Sequence, residues 1–444
     1  MDAFLSPKSP TRLGFHYFPD TLHYRESDLH TWLPQLRALG ASWLTLLSPL
    51  QSAIPETFLS GLMRSDIQPV VQFGLRPGDL PGLPEIRLLL ETYARWGLRY
   101  VVLFDRPNSR QSWPSNAWAQ EDLVERFLDK YLPFAQAAIQ AGLIPVFPPL
   151  EPGGAYWDTA FLKAAVLSLV RRRQNQLLDS LVLSGYAWSW DHSLNWGCGG
   201  PGRWPGSRPY LTPARQQDQR GFRIYDWYQA VTLAILGRRS PVILFGGGAQ
   251  RDPLGETLTA PHPEKHAALN LNLARLMAGE EVIENGQVPL DPVNEDVLCC
   301  NLWLLATSPV HPHQPHAWFQ PENTCLPAVS ALRQWVASQP VVPAFISSPP
   351  PAHVHSNANT HYILLAESEL LSPAVLDVLH PLIARDHATL GYSIAEACQA
   401  RTVTLAGPRE AFSEETLNQL SASGCQMQWL ADSGTLIATM ESQA

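Results

Sequence analysis

Val101-Val102-Leu103-Phe104-Asp105-Arg106-Pro107-Asn108 reads as a buried β-strand that ends in a short polar turn. Its apolar residues run without a break rather than alternating, which marks a strand covered on both faces. Pro107 and Asn108 are turn formers. The same unit recurs on either side of it. Seven further apolar runs lie at Gly14–Phe18, Ser42–Leu47, Pro69–Leu75, Leu143–Pro148, Ser180–Tyr186, Pro241–Phe245 and Val297–Ala306. Each run is followed by a stretch with helical spacing of apolar residues. The first such stretch, Asp28 to Leu39, carries Leu29, Trp32, Leu33, Leu36 and Leu39, with Asp28 as the expected N-cap and Gly40 as the stop. The others cover Pro55–Arg64, Pro84–Trp96, Gln120–Ala141, Thr159–Arg173, Arg223–Leu236, Glu264–Ala278 and Leu326–Ser338.

Eight strand–helix pairs in succession imply α/β architecture, a (β/α)8 TIM barrel with insertions. A doubly wound open sheet is the weaker alternative, because no GxGxxG turn follows the first strand. The barrel is expected over residues 1–338. Residues 339–360, "QPVVPAFISSPPPAHVHSNANT", read as a Pro/Ser/Asn-rich linker. Residues 361–444 read as a small α/β domain. It has an apolar run at Tyr362–Ala366, a strand at Thr402–Leu405, a helical stretch at Pro373–Leu382 and a second helix starting in "GYSIAEACQ", and "QMQWLA" and "LIATM" finish the chain. In "SEETLNQLSASG" a Ser cap and a capping box are expected to start a helix.

Composition narrows the function. The chain has 444 residues, 45% of them hydrophobic and 16% charged, enough to bury a sizeable core. The net charge of −9 is spread without a basic block, which argues against a nucleic-acid partner. Arg171-Arg172-Arg173 reads as a solvated helix end. No apolar stretch reaches the roughly 20 residues that span a bilayer. The N-terminus lacks the pattern of a signal peptide, so a cytoplasmic protein without membrane contact is expected. Six cysteines without a CxxC read as free thiols.

Function in such a barrel collects on loops at the C-terminal ends of the strands. Those loops hold His16, Asp105, Arg106, Asn108, Trp113, Glu151, Trp157, Trp188, Trp190, Asp191, Asn195, Trp196 and Trp303. The inventory is aromatic and rich in hydrogen-bonding groups. Flat rings suit the C–H face of a sugar, and amides or carboxylates suit its hydroxyls. A carbohydrate ligand is therefore expected, with no cofactor and no metal. His311, His313 and His316 fall in a Pro-rich loop that reads as structural.

The strand-end motifs "FDRPN" and "ILFGGGAQ" carry a resemblance. Over roughly residues 12–340 the chain resembles the retaining, cellulase- and xylanase-like barrel glycosidases of clan A. The resemblance implies an acid/base Glu after an Asn at the end of strand four, and a nucleophile Glu at the end of strand seven. Here Asp105 matches the Asn and Arg106 the acid/base Glu, while Gly246 or Gly247 occupies the nucleophile position. It further implies that Trp303 floors the sugar site. Arg106 cannot act as a general acid because a guanidinium keeps its proton, and glycine has no nucleophile. The expectation is a glycoside-hydrolase-like barrel that binds carbohydrate and is catalytically degenerate. Two alternatives stand beside it. One is an active glycosidase using relocated carboxylates, Glu151 with Asp105 or Asp191, since cleavage needs two carboxyl groups across the bond. The other is a non-catalytic scaffold. The last domain, similar to small modules appended to bacterial glycan-associated proteins, is read as a further contact for a protein partner.

Overall fold

The computed structural model describes residues 11–189, 192–249, 263–284, 286, 288–322, 324–339 and 361–366, and most of 379–430. Two compact units emerge, Met1–Pro340 and Val341–Ala444.

The first unit is a barrel of eight parallel strands. They are β1 (Leu13–His16), β2 (Trp43–Leu47), β3 (Gln68–Leu75), β4 (Tyr100–Phe104), β5 (Ile144–Val146), β6 (Leu183–Trp188), β7 (Val242–Gly248) and β8 (Val297–Leu302). The hydrogen-bonded order is β5-β4-β3-β2-β1-β8-β7-β6. Isolated bridges from Val146 to Val182 and from Leu150 to Gly185 close the remaining seam. There the Phe147 N–H donates to Val182 O at 2.8 Å. Ser184 Oγ adds a bond to Phe147 O at 2.5 Å.

Inside the barrel Trp43, Val70, Tyr100, Val102, Val146, Val182, Ile243, Phe245 and Cys299 form one apolar core. A larger core lies between the strands and the helices. Phe104 shows how that outer layer aims the mouth. It packs edge-on against Phe127, Tyr131 and Phe134 of helix Leu123–Ala141, at 5.6, 6.0 and 5.9 Å. Burying a Phe contributes about 1.5–3 kcal/mol, so this contact pins the strand end and leaves Asp105 to turn toward the mouth.

Local detail departs from the sequence reading in places. Helix Glu26–Ala38 starts earlier than expected, with Arg25 at the N-cap. Asp28 sits in its first turn and accepts the Arg25 N–H at 2.8 Å. β7 runs on through Gly246, Gly247 and Gly248, which the sequence places in a loop.

In the second unit, four parallel strands run in the order β10-β9-β11-β12. They are β9 (His361–Leu365), β10 (Thr389–Gly391), β11 (Thr402–Ala406) and β12 (Gln426–Leu430). Ser413 caps helix Glu414–Ala422 by accepting the Thr416 N–H at 3.1 Å. The third residue after the cap is Thr416, not Glu or Gln, so no capping box forms. The expected linker from residue 340 on, most of the helix at 373–382, and "LIATM" lie outside the described residues. All six cysteines are free.

Candidate functional site

The C-terminal strand ends carry one continuous chain of side-chain contacts. It begins at Glu151, after β5, whose carboxylate lies 3.1 Å from Arg106 Nη1. Arg106 Nε faces Asp105 at 3.6 Å. The Arg106 guanidinium stands 4.5 Å over the ring of Tyr186. Tyr186 donates its hydroxyl hydrogen to Asp105 Oδ1 at 2.7 Å. Tyr186 stacks parallel to Trp188 at 6.3 Å. Trp188 meets Trp303 edge-on at 5.9 Å, and Trp303 meets His16 at 4.9 Å. His16 Nε2 accepts the Gly246 N–H at 3.0 Å.

The backbone holds Arg106 firmly. It sits at φ +44°, a left-handed conformation that a non-glycine residue rarely adopts. Its N–H donates to Pro149 O at 3.0 Å, and its carbonyl accepts from Ser112 Oγ at 2.8 Å. Asn108, two residues on, is wholly buried. Its amide donates to Glu151 O and Tyr156 O at 2.9 Å each, and its carbonyl accepts the Glu151 N–H at 2.8 Å. The loops after β4 and β5 are thereby stapled together. A second anchor is the buried Asp158, bonded to Gly153 N–H, Tyr228 Oη and Gln219 Nε2 at 3.1, 2.9 and 2.6 Å. Burial pushes its carboxyl up to about 6.

Electrostatics follow from this geometry. Loss of solvent raises the Asp105 carboxyl above its ordinary value, against the pull of Arg106, the Tyr186 hydroxyl and Arg76. Burial first, and then the Arg106 charge, lower His16 to about 3, so the ring is neutral. A neutral ring that accepts at Nε2 carries its proton on Nδ1. Burial, His311 and Arg106 also lower His313, which meets Trp303 edge-on at 5.2 Å.

The other strand end is filled. Gly246 has φ +56°, and a Cβ built there would lie 2.5 Å from Trp188 Cζ2. A Cβ on Gly247 would lie 2.2 Å from Cys300 Sγ. Among the described residues the β7 end therefore carries no carboxylate, and positions 246 and 247 have no room for one in this packing.

The structure is similar to solved barrel enzymes. A monomeric β-xylosidase from Caulobacter crescentus CB15 matches at 14% identity over 75% of this chain and 69% of its own, with a TM-score of 0.46. A family 39 glycoside hydrolase from Bacteroides cellulosilyticus WH2 matches at 11% identity over 74% and 64%, with a TM-score of 0.45. An L-ribulose 3-epimerase matches at 14% identity over 60% and 77%, with a TM-score of 0.33. No family model and no curated protein matches the chain. The barrel fold rests on the strand order and pairing of this chain itself.

Of the residues singled out in the sequence, the mouth gathers His16, Asp105, Arg106, Glu151, Trp188, Gly246 and Trp303. Gly247 lies beside Gly246 at the β7 end, and the other described ones lie elsewhere. Asn108 is the buried staple. Trp113 belongs to the outer core and donates its ring N–H to Pro107 O at 2.8 Å. Trp157 is covered by Tyr210 at 5.4 Å and Arg220 at 5.7 Å. Trp196 stacks on His192 at 4.0 Å. Asn195 is held by Asp291 at 2.9 Å and Arg223 at 2.7 Å. Trp190 and Asp191 fall outside the described residues. Tyr186 was missed, although a tyrosine at the end of the sixth apolar run was a signal for it. Among the described residues no group of three His, Cys, Asp or Glu is placed to hold a metal ion. No helix among them is long and apolar enough to cross a membrane.

Proposed function

We propose that the barrel mouth binds a carbohydrate and does not cleave it. One observation carries this reading: Asp105 and Glu151 are both engaged by Arg106, which is linked through Tyr186 and Trp188 to the half-buried ring of Trp303. A glycosidase needs a proton donor and an opposed carboxylate free to act on the anomeric carbon. Here a fixed cation sits between the two acids, and at Gly246 and Gly247 the β7 end offers only backbone. The Trp303 face supplies the apolar floor that a pyranose ring prefers, and the acids supply hydrogen-bond acceptors for hydroxyls. Isothermal titration with a panel of neutral oligosaccharides tests it. Saturable heat that Trp303→Ala removes, with no aryl glycoside turned over, is the expected result. Absence of any sugar-dependent heat would refute it.

A second reading has its own support. Asp105 has a raised carboxyl, as a proton donor needs, and Glu151 lies across Arg106 from it. Turnover of an aryl glycoside that Glu151→Gln abolishes would establish hydrolysis by this pair.

A further inference from the structure

We propose that a second pocket, on the outer rim of the barrel, binds a small molecule that carries a carboxylate or phosphate on an apolar body. The pocket is about 450 Å³ and opens between the turns after β3 and β4 and helix Leu123–Ala141. That volume falls within the roughly 300–1,000 Å³ typical of small-molecule sites. Pro77, Pro114 and Trp113 give it an apolar wall, and Arg126, Asp129 and Lys130 give it a charged one.

The charges on that wall are not balanced. Asp129 is drawn aside by Arg172 at 2.6 Å. Glu125, on the same helix, is taken by Arg171 at 2.5 Å and Arg172 at 2.6 Å. Among the described residues no ion pair engages Arg126 or Lys130. These two cations are one helical turn apart and so share a face. The wall is left net positive.

Arg126 is also fixed in place before any ligand arrives. Its Nε donates to Glu121 O and its Nη2 to Gln120 O, both at 2.9 Å. Its guanidinium lies 5.3 Å over the Trp113 ring. Nη1 remains to donate to an anion, and a fixed guanidinium gives up little side-chain freedom on binding. Lys130 adds an ammonium to the same wall. Trp113, read from the sequence as a platform for sugar, thus has its face covered by a cation.

Calorimetric titration of the full chain with benzoate, phenyl phosphate and the neutral benzamide tests the proposal. Saturable binding of at least one anion and none of benzamide is expected, and the two anions tell a carboxylate site from a phosphate site. Lys130→Gln should weaken the bound anion about tenfold, a typical loss for one charge-assisted hydrogen bond. Because Arg126 also fastens the turn before its helix, Lys130→Gln is the deciding variant, with an unchanged melting temperature as the folding control. Failure of both anions to saturate, equal binding of benzamide, or indifference to Lys130→Gln would each overturn the assignment.

Discussion

The two halves of the barrel mouth differ in kind. The β4–β5 half is polar: Asp105, Arg106 and Glu151 face one another with side chains 30%, 42% and 36% exposed. The β7–β8 half is closed: glycines lie against Trp188 and Cys300 with no space for a side chain. Among the described residues both halves lack a free carboxylate, for different physical reasons. In the first, the acids are present and occupied. In the second, packing excludes an acid at positions 246 and 247. Substitution can reopen the first half, whereas the second would have to be repacked.

The sharpest test lies in the closed half. Gly246→Ala adds a methyl 2.5 Å from the Trp188 ring at φ +56°. It should cost about 2–5 kcal/mol, from overpacking plus left-handed strain, in urea unfolding. A neutral effect would show that Trp188 yields, and the contrast would dissolve.

Asp158, which anchors the loop of the open half, gives the next effect. Its folded carboxyl sits near 6 against an ordinary 3.8. Its contribution is therefore full below the ordinary value and is lost as pH rises through about 6. Wild type should lose about 3 kcal/mol over that window relative to Asp158→Asn, read from unfolding curves across pH. Asn108→Ala breaks three buried bonds and should cost about 2–3 kcal/mol at any pH. Trp303→Ala should weaken a bound oligosaccharide about tenfold through lost ring–sugar stacking, and should also lower stability because the ring packs on Trp188, His16 and His313.

The smallest effect concerns Arg106 itself. The trio is partly open to solvent, so Arg106→Met should cost only about 1 kcal/mol at neutral pH. The Asp105 carboxyl is already raised in the fold, so its ionisation weakens the fold as pH rises. Without Arg106 its titration moves higher still. The penalty of the variant should therefore be largest at neutral pH and shrink in acid, where Asp105 is protonated in both proteins.

Much of the scaffold was legible because buried parallel strands write themselves as unbroken apolar runs. All eight barrel strands appear where those runs lie, and the paired helices follow. The end of β7 was not legible, since Gly246-Gly247-Gly248 has the composition of a turn and becomes strand only through pairing with β6 and β8. The tryptophans were the hardest to place. Trp157 and Trp196 are covered by Tyr210, Arg220 and His192, partners brought in by a long loop whose path the sequence does not encode locally. Asn108 reads as a sugar contact by residue type, yet its amide is spent on the backbone of a loop more than 40 positions away.

One consequence remains in how the cylinder is shut. β5 and β6 meet through two single bridges, at Val146 with Val182 and at Leu150 with Gly185, and through the Ser184 side-chain bond to Phe147. Arg106, Glu151 and Tyr186 come from the fourth, fifth and sixth staves and cross that thin join like a buckle on a hoop. Amide protons along the join should exchange soonest in this wall, and sooner again once the buckle is undone.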